Sequence, residues 1–508
     1  MVLKSQLLLL LPSPVLSALI APTASNCTAS ALLTPSIPGA SILIVDAYES
    51  TLESTAISFC NVTLTYTHPG QNDLVKVWLG LPSTWNGRFE GVGGGGWVTG
   101  FPSEMVPAIS QGYAAVSTDG GHDALSQATD SWALLSPGNV NLYALQNFAS
   151  VALNDMTVLG KQLTEAYYGK AITKSYWSGC STGGRQGLMM AQRYPDAYDG
   201  ILAQAPGVSW AEFIPTMFWP QWIMHEIGYF PPQCELDTIT AAATSACDEL
   251  DGLKDDVIGL TGLCTFDPST VVGQPYACSN VTGTISKEAA EIAKLTWTGA
   301  TNAVGKLQWP GIAPGSPFSG IAGTTCDSSG GNCTGLPFAI TTEWHRLFIQ
   351  KNPGFDPYNY TQTGWDAAFH ASIQEYTSII GTSDPDLSEF KSSGGKMITW
   401  HGMADQLIPF NGTVSYYEHV LSLDANATDF YRFYSAPGVE HCRGGAGAAP
   451  TDPLAALVSW VEDDEVPQTL AASRTVNGTI WKQELCLYPL SSIYKGGDPA
   501  VASSYQCE

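Results

Sequence analysis

Two runs of alternating apolar and polar residues, Phe59-Cys-Asn-Val-Thr-Leu-Thr-Tyr66 and Leu74-Val-Lys-Val-Trp-Leu-Gly-Leu81, flank the turn-rich segment His68-Pro-Gly-Gln-Asn72-Asp73. A period of two with a turn between predicts a β-hairpin. Arg88-Phe-Glu-Gly-Val92 then runs into Gly93 to Gly96, and Tyr113-Ala-Ala-Val-Ser-Thr118 reads as a buried strand. Residues 141 to 168 carry the helical period and lead into the short strand Ser175-Tyr-Trp-Ser178. Strands alternating with helices predict an α/β fold with parallel strands. After Gly200-Ile-Leu-Ala-Gln-Ala-Pro206 the periodicity is lost, and the chain is irregular and rich in Trp, Gly and Cys until about Gly394. Regular alternation resumes with Lys396-Met-Ile-Thr-Trp400 and Phe430-Tyr-Arg-Phe-Tyr434. At 508 residues the chain exceeds one ordinary core. We therefore read one domain, residues 22–205 plus 395–508, interrupted by a lid domain, residues 206–394.

The N-terminus changes where this domain is expected to work. Met-Val-Leu-Lys, the apolar run Leu7 to Leu11 and the small residues from Ala18 follow the order of a secretory signal peptide ending near residue 21. Pro12 and Pro14 break the apolar run before the roughly 20 residues that a membrane span needs. No later segment is long and apolar enough either, so a secreted, soluble protein without a membrane partner is expected. The 12 cysteines form an even set without a C-x-x-C pair, which fits disulfides made in an oxidising compartment. Sequons begin at Asn26, Asn61, Asn280, Asn332, Asn359, Asn411, Asn426 and Asn477, as in a glycoprotein. The formal net charge of −25 disfavours phosphate backbones and anionic membranes, so no nucleic-acid partner is expected.

Between a predicted strand and a predicted helix lies Gly179-Cys180-Ser181-Thr182-Gly183, which fits G-x-S-x-G in the context that motif requires. Glycines two residues either side of the serine suit a turn too tight for side chains, and the turn lifts the hydroxyl out of the sheet. This is the nucleophile signature of an α/β-hydrolase fold, here with a large lid inserted between the nucleophile and acid segments. In that fold the partners follow in the order Ser, Asp or Glu, His. Asp405 sits just past the strand ending at Trp400, and His441 follows the next strand. Among the eight histidines, only His419 and His441 come after Asp405. His419 falls in a predicted helix, so His441 is the expected base, and His401 and His122 are expected to be structural hydrogen-bonding residues. Cys180 precedes the serine and Cys442 follows the histidine, so contact between Ser181 and His441 would bring both cysteines within bridging range.

Gly91-Val-Gly93-Gly-Gly-Gly96 formally satisfies G-x-G-x-x-G, with Asp119 beyond the next strand. No convincing helix follows it and an exported protein rarely meets NAD, so an NAD-dependent oxidoreductase is rejected. The run is better used to supply an oxyanion N–H from Gly94, with Gly95 close behind, beside that of Thr182.

The segment from Cys247 to Cys264 is acidic, and its crowded carboxylates repel one another unless solvated or bridged by a cation. Asp248, Asp251 and Asp255 could offer side-chain oxygens, and Leu253 and Val257 carbonyls. From residue types alone, a solvated loop is the default.

Taken together, Cys180-Ser181, Asp405 and His441-Cys442 resemble the tannase and feruloyl esterase family, most of all its fungal feruloyl esterases, over most of the chain after the signal peptide. The resemblance implies a Cys180–Cys442 disulfide and a structural Ca²⁺ in the lid, since the family's Asp-x-x-Asp-x-aliphatic-x-Asp-x-aliphatic segment maps onto Asp248, Asp251, Leu253, Asp255 and Val257. Asp256 departs from the pattern where the family often has glycine. The implied activity is serine carboxylic ester hydrolysis through an acyl-enzyme. Its expected substrates are ferulic and other hydroxycinnamic esters of plant cell-wall polysaccharides, as in xylan degradation, with galloyl esters, the tannase reaction, as the alternative. The absence of a dibasic processing site and a compact lid favour the feruloyl reading. Trp210, Phe213, Phe218, Trp219 and Trp344 could stack a phenolic ring or be core. A non-catalytic binding glycoprotein is the competing class, and the intact Ser-Asp-His set argues against it.

Overall fold

The chain is described by a computed structural model covering residues 26–53, 55–122, 127–278, 282–327 and 332–508. The expected signal peptide and Asn280 lie outside the described residues. Nine strands form the main sheet: β1 Ser41–Leu52, β2 Ile57–Thr67, β3 Val75–Pro82, β4 Arg88–Val92, β5 Ala114–Thr118, β6 Lys174–Cys180, β7 Gly200–Gln204, β8 Lys396–Gly402 and β9 Tyr431–Ala436. Their order is β1-β2-β3-β5-β4-β6-β7-β8-β9. The hairpin read from the alternation is β2–β3, paired antiparallel from Phe59↔Pro82 to Tyr66↔Val75. From β5 through β4 to β9 every pairing is parallel.

Parallel strands covered on both faces lose alternation and read as continuous buried runs, as Ala114–Thr118 does. One face packs against the helices Ala152–Tyr168, Thr182–Arg193 and Phe410–Leu423, through residues such as Met156, Leu188 and Tyr417. The other packs against the helices Met105–Ser110 and Pro453–Asp463, through Ile109, Leu457 and Trp460. The sheet is therefore the middle layer of three, and the chain leaves it at the C-terminal ends of its parallel strands, where sites of this architecture gather.

Three elements depart from the sequence pattern. Strand β1 was not anticipated, because as an edge strand it buries little and its apolar residues Leu43 and Ile44 stay exposed. The helical stretch 141–168 is divided by a π-helical turn over Asn147–Val151. A C-terminal hairpin pairs Thr469–Val476 with Thr479–Cys486 around Asn477-Gly478, both at positive φ, as a two-residue primed turn requires.

Between β7 and β8 the chain builds the helices Trp210–Thr216, Trp219–Ile227, Gln233–Cys247, Lys287–Thr298 and Gln362–Ile380, with short strand pairs among them. They close around an aromatic core in which Trp222 stacks on Trp365 and Trp344 packs on Tyr376. Trp97 and Phe148 reach into this core from the sheet side and touch Trp210. All 12 cysteines are paired: Cys27–Cys60, Cys180–Cys442, Cys234–Cys278, Cys247–Cys264, Cys326–Cys333 and Cys486–Cys507. No described helix is long and apolar enough to cross a membrane.

Candidate active site

Ser181 occupies the turn between β6 and the helix Thr182–Arg193, at φ 64°, ψ −121°. A non-glycine residue is held there only when its surroundings over-determine it. Here the Ser181 N–H donates to the Gln204 carbonyl at 3.0 Å and the Ser181 carbonyl accepts from the Arg185 N–H at 2.9 Å. The flanking glycines have a steric cause. A Cβ at Gly179 would lie 2.6 Å from the Gly183 backbone, so the strand and the helix can approach only without it.

Asp405 and His441 come from the loops after β8 and β9. His441 Nδ1 lies 2.7 Å from Asp405 Oδ2, and the His441 N–H donates to Gln406 Oε1 at 3.0 Å. Asp405 Oδ1 accepts from the N–H groups of Leu407 and Ile408, both at 2.8 Å. Burial by itself would raise the Asp405 pKa. The facing His441 and the hydrogen bonds from His401 and His441 outweigh it and hold the carboxyl well below the usual carboxylate range. A fixed carboxylate on Nδ1 leaves Nε2 as the proton acceptor of the ring.

The Cys180–Cys442 bridge spans 6.0 Å between Cα atoms and links the residue before the serine to the residue after the histidine. Cys442 has φ 62°, and Cys180 ends β6 immediately before the strained Ser181. Ser181, Thr182 and His441 line one cavity with Trp210, Phe213, Ile214, Met217, Phe338 and Ile340. Its walls are apolar apart from Ser181, Thr182 and His441. Of the five aromatic residues that could stack a ring or be core, all are buried, and Trp210 and Phe213 are the two that reach this wall.

Thr182 opens the helix, where the N–H has no partner within the helix, and its hydroxyl donates to the Gly96 carbonyl at 2.8 Å. The expectation for Gly94 needs correction. Its N–H donates to Gln186 Oε1 at 3.0 Å, and the alternative, Gly95, donates to the Val98 carbonyl at 3.1 Å. Both donors are already engaged, and Gly96 is the glycine that shares the apolar cavity with Ser181, Thr182 and His441. Asp119, the other half of the rejected dinucleotide fingerprint, accepts from the N–H groups of Lys76 and Gly121 and shapes a turn.

Two supporting residues were missed by sequence reasoning. Gln186, fully buried, bonds Gly94 through Oε1 and the Thr99 carbonyl through Nε2 at 2.9 Å, clamping the glycine loop to the serine's helix. Arg185, also fully buried, donates to the carbonyls of Ala149 and Phe148 and lies over the rings of Phe148 and Trp210. Their positions just after the serine were visible, but nothing in spacing told which way they pointed. His401 was read as structural: its Nε2 faces Asp405 Oδ2 at 3.0 Å and the Ile408 carbonyl at 3.1 Å, and Nδ1 faces the Thr413 hydroxyl at 2.9 Å. Two acceptors at Nε2 place the proton there, with Nδ1 accepting from Thr413.

The acidic loop is closed by Cys247–Cys264. Asp251, Asp255 and Val257 line a cavity of about 20 Å³, and Asp255 Oδ1 is buried without a partner. Burial, and after it the charges of Asp255 and Asp248, push the Asp251 carboxyl up to about 6. This side fits an oxygen-bound cation. On the other side the oxygens already carry partners that a cation would share: Asp248 accepts from the N–H groups of Asp255, Asp256 and Val257, the Leu253 N–H donates to Asp251, and Asp255 Oδ2 pairs with Arg474. Among the described residues no three acidic, His or Cys side chains converge as a metal cluster. Asp256 has φ 63°, which accounts for glycine being the easier residue there.

Asn26, Asn332, Asn359, Asn411, Asn426 and Asn477 are exposed, whereas Asn61 is half-buried and its amide donates to the Tyr48 hydroxyl.

The tannase and feruloyl esterase family model matches residues 60–508. A probable feruloyl esterase of Arthroderma benhamiae is 40% identical over 504 residues, covering 95% of this chain and 94% of that protein. A tannase of Aspergillus oryzae is 30% identical over 514 residues, covering 89% and 85%. Among solved structures, the tannin acyl hydrolase from Aspergillus niger matches with a TM-score of 0.87 at 31% identity over 95% of both chains. Feruloyl esterase B from Aspergillus oryzae matches in fold, with a TM-score of 0.78 at 24% identity over 93% of this chain and 97% of that one.

Proposed function

The chain belongs to the tannase and feruloyl esterase family and is a carboxylic ester hydrolase, and from that premise we propose that it is a secreted feruloyl esterase acting through Ser181, Asp405 and His441. The observation that carries the substrate choice is the cavity above Ser181, whose ring-facing walls are apolar. A feruloyl ring brings one phenolic hydroxyl and a methoxy group to such walls, whereas a galloyl ring brings three hydroxyls, each costing about 1–3 kcal/mol where it is buried without a partner. Galloyl esters are the second reading, favoured by the overall likeness to tannin acyl hydrolase.

In this mechanism His441 Nε2 takes the Ser181 proton as Oγ attacks the ester carbonyl, and returns it to the departing alcohol. Water then attacks the acyl-enzyme by the same path. Asp405 holds the imidazole tautomer and stabilises the imidazolium. The N–H groups of Thr182 and Gly96 meet the oxyanion, each such donor being worth about 10²–10³ in turnover. The lid, residues 206–394, supplies the acyl-binding wall. A structural Ca²⁺ held by Asp248, Asp251 and Asp255 with the carbonyls of Leu253 and Val257 belongs to this reading. Its support is the unpartnered Asp255 oxygen and the raised Asp251 carboxyl, and it takes no part in the chemistry. Export as a glycoprotein rests on the leader-like N-terminus, the fully paired cysteines and the exposed sequons. The physiological substrates in this reading are phenolic-acid esters on plant polysaccharides.

The test compares release of ferulate from methyl ferulate with release of gallate from methyl gallate by the parent and by Ser181→Ala. Serine-dependent ferulate release is expected to dominate. Dominant gallate release would move the assignment to tannase.

A further inference from the structure

An ester has two sides, and a second cavity meets the first at the reacting residues. It has a volume of about 570 Å³, is lined by Ser181 and His441, and lies between the glycine loop, the helix Met105–Ser110 and the start of the helix Pro453–Asp463. It is more polar than the acyl cavity, since Glu90, Glu104, Gln111, Gln204 and Arg443 contribute to its walls beside apolar residues such as Phe101 and Leu454.

Glu90 is the unusual member. It sits on β4 in the middle of the sheet, is 4% exposed, and its Oε2 is buried without a hydrogen-bond partner. No cation pairs with it among the described ion pairs. Leaving a buried carboxyl unpaired opposes folding, and the packing of the sheet would be served better by an apolar residue. A site that keeps such a group at a cost to stability has a use for it. Burial pushes its pKa up to about 8, so near neutral pH it is a carboxylic acid; Oε2 is sealed from the cavity, which leaves the other oxygen to meet a ligand as donor or acceptor. A sugar hydroxyl, which can accept or donate, meets such an oxygen in either role.

We propose that this polar cavity is the alcohol-side subsite, that it takes a hydroxyl-rich sugar, and that Glu90 is a specificity-determining residue which hydrogen-bonds that sugar. The proposal rests on the esterase reading and extends it to the leaving group. Remote contacts of this kind tighten binding of the whole ester, and their loss appears first in KM.

The experiment measures kcat and KM for two esters of the same acyl group, a methyl ester and a monosaccharide ester, with the parent, Glu90→Gln and Glu90→Leu, alongside thermal melting. The acyl group is whichever one the parent hydrolyses through Ser181, so failure of the feruloyl assignment is read separately in the parent. Glu90→Leu is expected to lower the ratio of sugar-ester to methyl-ester kcat/KM by about tenfold, mainly through KM. Its melting temperature should not fall, and Glu90→Gln, which keeps one donor and one acceptor, should retain most of the ratio. An equal loss on both esters, or an unaltered ratio in Glu90→Leu, would overturn the proposal.

Discussion

His441 shares its carboxylate oxygen with a second histidine: Asp405 Oδ2 lies 2.7 Å from His441 Nδ1 and 3.0 Å from His401 Nε2. His401 is fully buried and also fixed by Thr413 and the Ile408 carbonyl, so it sets the rotation of the carboxylate that orients His441. His401 is thus a positioning residue. His401→Phe should lower kcat by about tenfold with a smaller change in KM, whereas Asp405→Asn, which imposes the wrong tautomer on His441, should cost about 10⁴. Steady-state kinetics on a methyl ester separates the two.

The Cys180–Cys442 bridge ties the nucleophile turn to the base loop across 262 residues of chain. Replacing both cysteines by alanine should destabilise the fold by about 2–5 kcal/mol and reduce kcat more than it raises KM, because the turn and the loop lose their mutual register. Denaturant melts and kinetics of the double variant check both parts, and full retention of kcat would remove the bridge from the positioning of the site.

Gln186→Leu leaves the Gly94 N–H and the Thr99 carbonyl without their partner. The glycine loop should then loosen over the oxyanion position, lowering kcat about 10- to 100-fold, with Gln186→Glu unable to restore it because a carboxylate cannot donate to Thr99. A fall in apparent kcat that matches the unfolded fraction, with KM unaltered, would instead mark a purely structural clamp.

Stability should carry the signature of Glu90. The folded chain keeps its proton up to about 8, whereas the unfolded chain releases it near 4.5. The folded state therefore binds more protons between those values, and stability falls as pH rises through them, by at most about 1.4 kcal/mol per pH unit from this group. Glu90→Gln should melt at higher temperature than the parent at pH 8, and the difference should shrink toward pH 5.

Chelation addresses the acidic loop. If Ca²⁺ is bound there, EDTA should lower the melting temperature of the parent and Ca²⁺ should restore it, while Asp251→Asn should melt lower at the start and respond little. Metal analysis of the purified protein gives the same answer without unfolding it, and a metal-free parent would remove Ca²⁺ from the account.

What was legible in the sequence follows from which residues carry a local signal. The β2–β3 hairpin, the buried β5 and the Ser181 turn announced themselves because period, turn residues and glycine spacing are local properties. Asp405 and His441 could be ordered along the chain because the fold fixes that order. The donor of Gly94 could not be judged, since its engagement depends on the Gln186 rotamer 92 residues away. Strand β1 was hidden because an edge strand needs little apolar surface. Glu90 did leave a trace, an acidic residue in the run Arg88–Val92 that leads into the glycines, but only the cavity beside it gives that residue a meaning.

An acyl-enzyme on Ser181 is detected most directly by mass spectrometry of the enzyme quenched during turnover of methyl ferulate. A feruloyl adduct on the peptide containing Ser181, absent in Ser181→Ala and accumulating when deacylation is slowed, is the predicted result. Hydrolysis that proceeds in Ser181→Ala, or an adduct on another residue, would rule out Ser181 as the nucleophile.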